Sequence, residues 1–278
     1  MRPATLAASV APVLTGTAIA VHQGGARFGP GAGALVVALA MQLGVNFAND
    51  YSDFVRGADT ARVGPVRAAS SGVVDPRHVR LAALGAFGIA GLAGLALSVA
   101  VDLRLLVVGA ACLLAGWLYT GGPRPYGYLG LGEVFVLIFF GLVATAGTVY
   151  VETGRVTGLA VAMACAMGLL ATAILVLNNL RDIDTDAAAG KRTLATRIGR
   201  AGTRWLLMAL LAFAFAIPIA VSPPMPAVLI TLLAVPGAWS AATIALRSTQ
   251  PPALVASLKR MAMTELVYAL LFALAMVL

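Results

Sequence analysis

Charged residues are scarce in this sequence. Only 11% of its 278 residues are Asp, Glu, Lys or Arg, whereas 60% are hydrophobic. A soluble domain carries roughly a quarter charged residues, so water cannot be the solvent for most of this surface. Together with a mean hydropathy of +0.95, the shortage of charge predicts a chain that lies in a lipid bilayer.

Cysteine and histidine are equally rare, with two of each. Cys112 and Cys165 lie inside apolar runs and form no Cys-x-x-Cys pair, so we interpret them as core residues rather than as a disulfide or a metal site. His22 and His78 are far apart in the sequence and form no ligand cluster. A site that depends on histidine, as a metal ligand or as a general base, is therefore not predicted.

Long apolar runs, by contrast, fill the sequence. A spanning helix needs about 20 apolar residues, and we count nine candidate runs, none of which alternates with period two. The sequence therefore predicts an all-α integral membrane protein with nine transmembrane helices. The first run has an alternative interpretation as a signal peptide, and the last has an alternative start near Pro252. The runs are residues 4–21, 31–50, 79–101, 103–120, 131–151, 157–179, 203–222, 225–245 and 261–278.

The basic residues are unevenly distributed between the two ends of these helices. If the N-terminus lies in the cytoplasm, 16 of the 19 Lys and Arg residues fall on the cytoplasmic side, as the positive-inside rule requires. Only Arg27, Arg104 and Arg155 fall on the other side. This asymmetry predicts an N-in, C-out topology. The net charge of +8 lies in short loops between apolar runs, so we predict no nucleic-acid partner.

Acidic residues are few, and six of the eleven fall in two short segments. Each segment follows an apolar run at the basic side of the membrane. In the first segment Asn49 and Asp53 are four residues apart, and in the second Asn178, Asp182 and Asp186 are spaced by four. If the second and sixth helices continue through these segments, side chains at this spacing share one face.

The same Asn-x-x-x-Asp pattern recurs at an offset of 129 residues, from Asn49 to Asn178. Four predicted helices separate the two copies, so both emerge on the same side of the membrane. We therefore predict two similar four-helix halves with a ninth helix appended. Asp184 falls on another face of the sixth helix, where we expect it to be solvated.

The third predicted helix has a row of glycines. Gly85, Gly88, Gly91 and Gly94 are spaced by three, which keeps them roughly on one side of the helix. Small residues in such a row allow a neighbouring helix to approach closely. We predict a packing role for this row and no chemistry.

Carboxylates that converge from two helices repel one another unless a cation lies between them. Mg²⁺ is typically held by one or two carboxylates together with substrate phosphate oxygens, and nearby basic side chains can meet phosphate charge directly. The pattern therefore favours a metal-bridged diphosphate site. Two alternatives stay open: solvated helix ends without chemistry, and a secondary transporter, whose acids are expected nearer the membrane midplane. The flanking basic residues are Arg67, Arg181, Lys191 and Arg192.

At these residues the sequence resembles the UbiA superfamily of intramembrane prenyltransferases, which has two aspartate-rich motifs at the ends of helices 2 and 6 of a nine-helix bundle. The matching stretches are residues 49–53, Asn-Asp-Tyr-Ser-Asp, and 182–186, Asp-Ile-Asp-Thr-Asp. Many members have an acid four residues after the position of Asp53, where this chain has Gly57 and carries its next acid at Asp59. The resemblance implies a UbiA-type bundle and Mg²⁺ as the cofactor.

Further stretches resemble one branch of that superfamily, the 1,4-dihydroxy-2-naphthoate polyprenyltransferases of menaquinone synthesis. The resemblance implies transfer of a polyprenyl group from polyprenyl diphosphate to 1,4-dihydroxy-2-naphthoate, with loss of CO₂ and diphosphate, to give demethylmenaquinone. Prenylation of 4-hydroxybenzoate, homogentisate, chlorophyllide or haem is the alternative within the superfamily, and the isoprenoid length is left open. The stretches are residues 2–6, 49–59, 64–67, 119–128, 130–133, 178–182 and 190–195.

The resemblance also implies roles for individual residues. The expected metal ligands are Asp50, Asp53, Asp59, Asp182 and Asp186. The expected catalytic residues are Asp53, Asp182, Lys191 and Arg67, of which the two basic ones would offset charge on the leaving diphosphate. The expected substrate-binding residues are Asn49, Asn178, Arg67, Tyr119, Arg124, Tyr126, Arg181, Lys191 and Arg192.

Some of these roles have competing interpretations. Tyr119 and Tyr126 are expected to face an allylic cation or the aromatic acceptor, or else simply to pack in a loop. Asn49 and Asn178 would support the carboxylates or, alternatively, cap their helices. Glu133, at the start of the fifth helix, would favour the helix N-terminus, pair with an arginine or take part in catalysis.

We expect residues 1–278 to form a single transmembrane domain, with cytoplasmic loops at about 51–78, 121–130 and 180–202. The glycine-rich loop that follows the fourth helix would cap the site and exclude water. The protein is expected to be a multi-pass protein of the plasma or inner membrane with its active site on the cytoplasmic side. The lipid bilayer and the two substrates are its predicted partners, and no protein partner is predicted.

Overall fold

The computed structural model describes residues 3–55, 74–122 and 125–278, and within these ranges the chain is all-helical. Nine long helices follow one another, and a short 3₁₀ turn, Tyr126–Leu129, lies between the fourth and the fifth. The helices are α1 Pro3–His22, α2 Phe28–Val55, α3 Pro76–Ala100, α4 Leu105–Leu118, α5 Gly132–Thr153, α6 Gly158–Ala188, α7 Leu194–Val221, α8 Pro226–Arg247 and α9 Pro251–Ala275.

The nine helices correspond one by one to the nine apolar runs, so the predicted helix count is confirmed over the described residues. Six of them, α2, α3, α5, α6, α7 and α8, are long and apolar enough to cross a membrane. The start of α9 at Pro251 agrees with the earlier of its two predicted starts and places Lys259 and Arg260 inside the helix. The chain is therefore a multi-pass membrane protein by helix length and composition.

Several helices extend beyond the apolar runs, which corrects the predicted loops. Residues 51–55 belong to α2, and α6 continues to Ala188 instead of ending near 179. Helix α7 begins at Leu194 rather than 203, where the Thr193 side chain caps it by accepting from Thr196 N, and it bends at Gly199. The polar residues in these extensions are compatible with helix because their side chains find partners at the end of the bundle.

The core is built around α6. In its most apolar stretch 67% of the residues are buried, and Met163, Met167, Leu170 and Leu177 are fully enclosed. This stretch packs against α1, α5, α7 and α9. A second, smaller cluster forms where α2 and α3 meet, around Ala48, Ala83 and Phe87. The two clusters leave a cavity between them, described below.

The glycine row of α3 does not have the predicted packing role. A Cβ added at Gly85, Gly88 or Gly94 would meet no heavy atom within 4 Å. Close approach occurs instead around Phe87, whose ring lies 2.8 Å from the Cβ position of Gly44 in α2. The glycines do share one face of α3, as their spacing predicted. The face of α3 that contacts α2 is a different one, which carries Phe87.

Helices α5 and α6 approach each other through two glycines. A Cβ added at Gly141 would lie 2.6 Å from Gly168 Cα, and one added at Gly168 would lie 2.7 Å from Leu137 O. Residues Leu137–Ala146 of α5 are π-helical on this side. The close backbone contact holds α5 against α6.

Candidate functional site

The C-terminal ends of α2 and α6 meet at one end of the bundle, which we call the aspartate end. Asp53, on the last turns of α2, is buried and accepts a hydrogen bond from Lys191 Nζ at 2.8 Å. The same ammonium group lies 3.5 Å from Asp186 Oδ1 of α6. One cation therefore connects carboxylates of two helices that are 133 residues apart in the chain.

The position of Lys191 follows from the way α6 ends. Gly190 adopts a left-handed conformation with φ of +71°, and Lys191 N donates to Asp186 O at 2.9 Å. This is a common glycine-terminated helix end, which reverses the chain tightly. The reversal brings the lysine back over the last turn of its own helix, where its side chain reaches across to α2.

The 3₁₀ turn before α5 supplies a third side to this cluster. Tyr128 OH donates to Asp53 Oδ1 at 2.8 Å, and Lys191 Nζ lies 4.7 Å from the centre of the Tyr128 ring. The turn is attached to the segment before α7 through a hydrogen bond from Arg192 N to Tyr128 O. The turn is part of the glycine-rich loop that was expected to cap the site, and it forms one side of the aspartate end.

A second basic side chain, Arg181, is engaged within α6. It donates two hydrogen bonds to Asp182, at 2.7 and 2.6 Å, and a third to Asn178 Oδ1 at 2.8 Å. Arg181 and Asp182 are both buried. Such a paired arrangement holds a carboxylate and an arginine in fixed orientations beside the Lys191 cluster.

These side chains line a small polar cavity of about 40 Å³. The aspartate-bearing ends of α2 and α6 face this one cavity, because Asp53, Asp182 and Asp186 all contribute to its wall. Its other lining residues are Asn49, Tyr119, Thr120, Gly127, Tyr128, Asn178, Asn179, Thr185, Lys191 and Thr193.

A much larger chamber of about 480 Å³ adjoins the polar cavity, and Asn49, Tyr119 and Asn178 belong to the walls of both. The chamber is mostly apolar and runs between α2, α3, α4 and α5. Near the shared residues the ring of Tyr126 stacks on Phe135 with centroids 3.9 Å apart. Burial raises the pKa of the Tyr126 phenol, which stays protonated and donates to Ala115 O at 2.8 Å.

The donor set at the aspartate end fits Mg²⁺. Its ligand atoms are carboxylate and amide oxygens, the type that this ion prefers, and Asp53 and Asp186 already converge on one cation, the Lys191 ammonium. Within residues 3–55, 74–122 and 125–278, no three His, Cys, Asp or Glu side chains are close enough together to form a metal site by themselves. Mg²⁺ bound by one or two carboxylates typically completes its coordination with water and with substrate phosphate oxygens.

The remaining predicted site residues are placed less centrally. Asp50 is buried on α2 but does not line the polar cavity, whereas the Arg192 side chain is exposed. Asp184 is exposed and pairs with Arg200 at 2.6 Å, which confirms that it lies away from the cluster. The predictions for Asp59, Arg67 and Arg124 lie outside the described residues.

Several residues that the structure brings to this end were not predicted as site residues. Tyr128, Asn179, Thr185 and Thr193 line the polar cavity. Glu133, for which the sequence left several roles open, is buried and accepts a hydrogen bond from Asn179 Nδ2 at 3.0 Å. Tyr128, Asn179 and Thr193 lie in the stretches 119–128, 178–182 and 190–195 that resembled the naphthoate branch, and this was the available signal for them; Thr185 lies outside those stretches.

Comparison with known proteins gives consistent matches along the whole chain. A model of the UbiA prenyltransferase family matches residues 9–277. The 1,4-dihydroxy-2-naphthoate octaprenyltransferase of Mycobacterium tuberculosis is 45% identical over 241 residues, which cover 87% of this chain and 82% of that protein. The protein of the same name from Haemophilus influenzae is 35% identical and covers 98% of this chain and 92% of its own length.

Solved structures show the same architecture. A UbiA homolog from Archaeoglobus fulgidus superimposes with a TM-score of 0.66 at 14% identity, covering 100% of this chain and 98% of that one. A structure of a UbiA homolog from the same organism, bound to GPP and Mg²⁺, gives a TM-score of 0.63 at 14% identity, covering 98% of this chain and 97% of that one. At this identity the likeness concerns the fold.

Proposed function

Because the chain belongs to the UbiA prenyltransferase family, we propose that it transfers a polyprenyl group from polyprenyl diphosphate to 1,4-dihydroxy-2-naphthoate in menaquinone biosynthesis. The relatives from Mycobacterium tuberculosis and Haemophilus influenzae carry the name of this activity and match most of both chains. The assignment favours an enzyme over a secondary transporter. Consistent with this, the clustered acids Asp53, Asp182 and Asp186 lie at helix ends.

The observation that carries the proposal is the junction of the two cavities. A polyprenyl diphosphate has a charged head and a long apolar tail, and the site has a polar cavity with acids and bases that shares wall residues with an apolar chamber of about 480 Å³. The shared residues Asn49, Tyr119 and Asn178 lie at this junction. The reactive allylic carbon, between head and tail, would lie beside them.

The charged side chains of the polar cavity would bind the head. Asp53, Asp182 and Asp186 would hold Mg²⁺, which when bound neutralises part of the diphosphate charge and so favours its departure. Lys191 and Tyr128 supply hydrogen-bond donors at the same place. They would donate to diphosphate oxygens as the carbon–oxygen bond breaks, because charge develops there.

The aromatic rings near the junction would face the allylic carbon. A cation over an aromatic face is attracted by the ring, and Tyr119 and Tyr126 both line the chamber. The Tyr126 hydroxyl is already engaged by Ala115 O, so this residue presents its ring and not a reactive oxygen. The turn that carries Tyr128 would shield the carbon from water.

The acceptor chemistry does not require a general base. The prenyl group takes the place of the naphthoate carboxylate, the electron pair of the broken carbon–carboxylate bond stays with the ring, and CO₂ and diphosphate leave. No ring proton is removed in the net reaction. The ring remains a dihydroxy compound, so the product forms in the quinol state of demethylmenaquinone and no oxidant is consumed.

The membrane sidedness and the single domain over residues 1–278 are also part of the proposal. The excess of basic residues at the aspartate end supports a cytoplasmic site with an N-in, C-out orientation. A reporter enzyme that is active only outside the cytoplasm is expected to be active when fused after Leu278, and inactive when fused into the segment between α6 and α7. The opposite pattern would reverse the orientation.

The direct test is a competition between acceptors. Purified protein in detergent receives Mg²⁺, one polyprenyl diphosphate and equal amounts of 1,4-dihydroxy-2-naphthoate and 4-hydroxybenzoate, and the product masses are measured. The expected product has lost the carboxylate and is built on naphthalene. A product that retains its carboxylate on a benzene ring would overturn the acceptor assignment, and absence of prenyl transfer to every acceptor would overturn the function.

A further inference from the structure

Gln42 is a polar residue in an otherwise apolar place. It lies on α2, has a relative exposure of only 6%, and lines the large chamber. Its carbonyl oxygen has no hydrogen-bond partner among the described residues. A buried, unpaired amide oxygen costs free energy, so this position is expected to be satisfied by a ligand that brings a donor into the chamber.

Other polar side chains of the chamber differ from Gln42 in this respect. The Ser98 hydroxyl donates to Gly94 O at 2.7 Å, and the Thr148 hydroxyl donates to Ala144 O at 2.6 Å. Both are satisfied within their own helices, as is usual for Ser and Thr in membrane helices. Gln42, by contrast, belongs to the chamber wall while its amide oxygen is buried without such a partner.

The position of Gln42 along α2 relates it to the reaction. Gln42, Asn46, Asn49 and Asp53 follow at intervals of four, three and four residues and so share one face of the helix. At a rise of 1.5 Å per residue, Gln42 lies about 10 Å from Asn49 along the axis, on the side away from the aspartates. The chamber wall contains the first three of these residues, and the polar cavity wall contains the last two.

The direction from which the acceptor attacks the allylic carbon indicates which substrate lies beside Gln42. If the diphosphate is bound at the aspartate end, the acceptor ring must approach the allylic carbon from the side opposite to the leaving group, which is the chamber side. The polyprenyl tail is a hydrocarbon and has no donor for an amide oxygen. The dihydroxynaphthoate ring has two hydroxyl groups, of which the one beside the carboxylate bonds internally and the one at position 4 is available to donate.

We propose that Gln42 accepts a hydrogen bond from the 4-hydroxyl group of the naphthoate acceptor and thereby orients the ring and selects dihydroxy acceptors. The inference rests on the proposed function. A site that pairs a substrate hydroxyl rejects the analogue without it, since its own buried oxygen is then left unpaired. Gln42 would therefore be a specificity-determining residue that is remote from the metal and diphosphate groups.

The test compares Gln42→Met, which keeps the length of the side chain but removes the amide, with the matched control Ser98→Ala. For each purified protein the KM and kcat for 1,4-dihydroxy-2-naphthoate and the inhibition constant of 1-hydroxy-2-naphthoate, which lacks the 4-hydroxyl, are measured at saturating prenyl diphosphate. Gln42→Met is expected to raise the KM for the dihydroxy acceptor roughly tenfold. The inhibition constant of the monohydroxy analogue is expected to stay the same or to fall, because the oxygen that this analogue leaves unpaired is gone, and the KM for the prenyl donor is expected to stay unchanged.

A thermal melt separates this role from a structural one. Removal of an unpaired buried oxygen does not weaken the fold, so Gln42→Met in detergent is expected to melt no lower than the parent protein. An equal loss toward both naphthoates, a lowered melting temperature or an unchanged KM would overturn the proposal. If the parent protein itself fails to prenylate the naphthoate, the proposed function falls; if only the Gln42 effect is missing, that function stands.

Discussion

At the scale of single residues, the aspartate end depends on Lys191. Its ammonium group is within hydrogen-bond or ion-pair distance of Asp53 and Asp186, and it lies over the Tyr128 ring. A buried carboxylate that loses a paired cation is strongly unfavourable. In the proposed function the same lysine meets the diphosphate, so one residue both joins the two helices and binds the substrate.

Replacement of Lys191 by methionine tests this double role. Lys191→Met keeps the length of the side chain and removes the charge, so binding of inorganic pyrophosphate with Mg²⁺ is expected to weaken by about tenfold or more, as for a charged hydrogen bond. Calorimetric titration measures the dissociation constant. Lys259→Met, which removes an exposed lysine of α9, is the matched control; equal pyrophosphate affinity in both variants would contradict a role of Lys191 in binding the head.

Asp53 is the residue on which the three sides of the cluster meet. Asp53→Asn keeps the shape but removes the charge that accepts from Lys191 and Tyr128, so turnover is expected to fall at least about 100-fold while the protein still folds in detergent. Initial rates at saturating Mg²⁺ give the comparison. The control is Asp184→Asn on α6, an exposed aspartate that pairs with Arg200 and is expected to retain activity. Near-normal rates with Asp53→Asn would count against metal binding there.

At the scale of helices, the lipid environment made much of the fold predictable. An apolar run of about 20 residues has few alternatives to a spanning helix, and for this reason the nine runs correspond to the nine described helices. The ends were less predictable, because beyond the apolar run the chain has no lipid constraint. The structure shows that α6 continues through Asp182 and Asp186, whose carboxylates are paired with Arg181 and Lys191.

Most features of the site that the sequence did not predict depend on contacts between segments that are distant in the chain. The spacing of Asn49, Asp53, Asn178 and Asp182 identified the cavity because it is a local, helical pattern. The bond between Asn179 and Glu133 joins two helices and has no such pattern. The glycine row of α3 failed for a related reason: spacing identifies a face of a helix, but it does not reveal what lies opposite that face.

The contact between α5 and α6 leads to a prediction about stability. Gly168→Ala places a Cβ 2.7 Å from Leu137 O and 3.0 Å from Gly141 Cα. These are backbone atoms of a packed helix, so they cannot move aside without shifting α5. The unfolding free energy is therefore expected to fall by about 1–3 kcal/mol, the usual cost of overpacking.

The measurement for Gly168→Ala is the melting temperature in detergent, compared with that of Gly158→Ala. Gly158 is the first residue of the same helix, and a Cβ there meets no heavy atom within 4 Å. The control is expected to melt at or slightly above the parent temperature, because alanine favours helix over glycine. A melting temperature for Gly168→Ala equal to that of the control would show that α5 is not held by this contact.

At the scale of the whole molecule, the two hydrophobic clusters leave a chamber whose wall is made partly of glycines. Gly91 and Gly94 of α3, Gly109 of α4 and Gly147 of α5 all line it. At Gly94, Gly109 and Gly147 a Cβ would meet no heavy atom within 4 Å. Glycine at these positions enlarges the space available to an apolar ligand. The row on α3 therefore has a role after all, although it is not the contact between helices that its spacing suggested.

The chamber volume should limit the length of the prenyl chain. Gly94→Leu adds an isobutyl group at a position where a Cβ meets no atom within 4 Å, so it should fill the chamber without straining the fold. We expect kcat/KM for a long polyprenyl diphosphate to fall about tenfold relative to that for a short one, the size of effect that a methylene or two has in an apolar pocket.

Gly85→Leu is the matched control, because Gly85 is on the same helix with equally open surroundings but does not line the chamber. The assay measures kcat/KM for donors of increasing isoprenoid number with one acceptor. A uniform loss at all lengths would mean that the substitution acts independently of tail length, and identical profiles for the two variants would mean that the tail does not reach Gly94; either result would contradict the prediction.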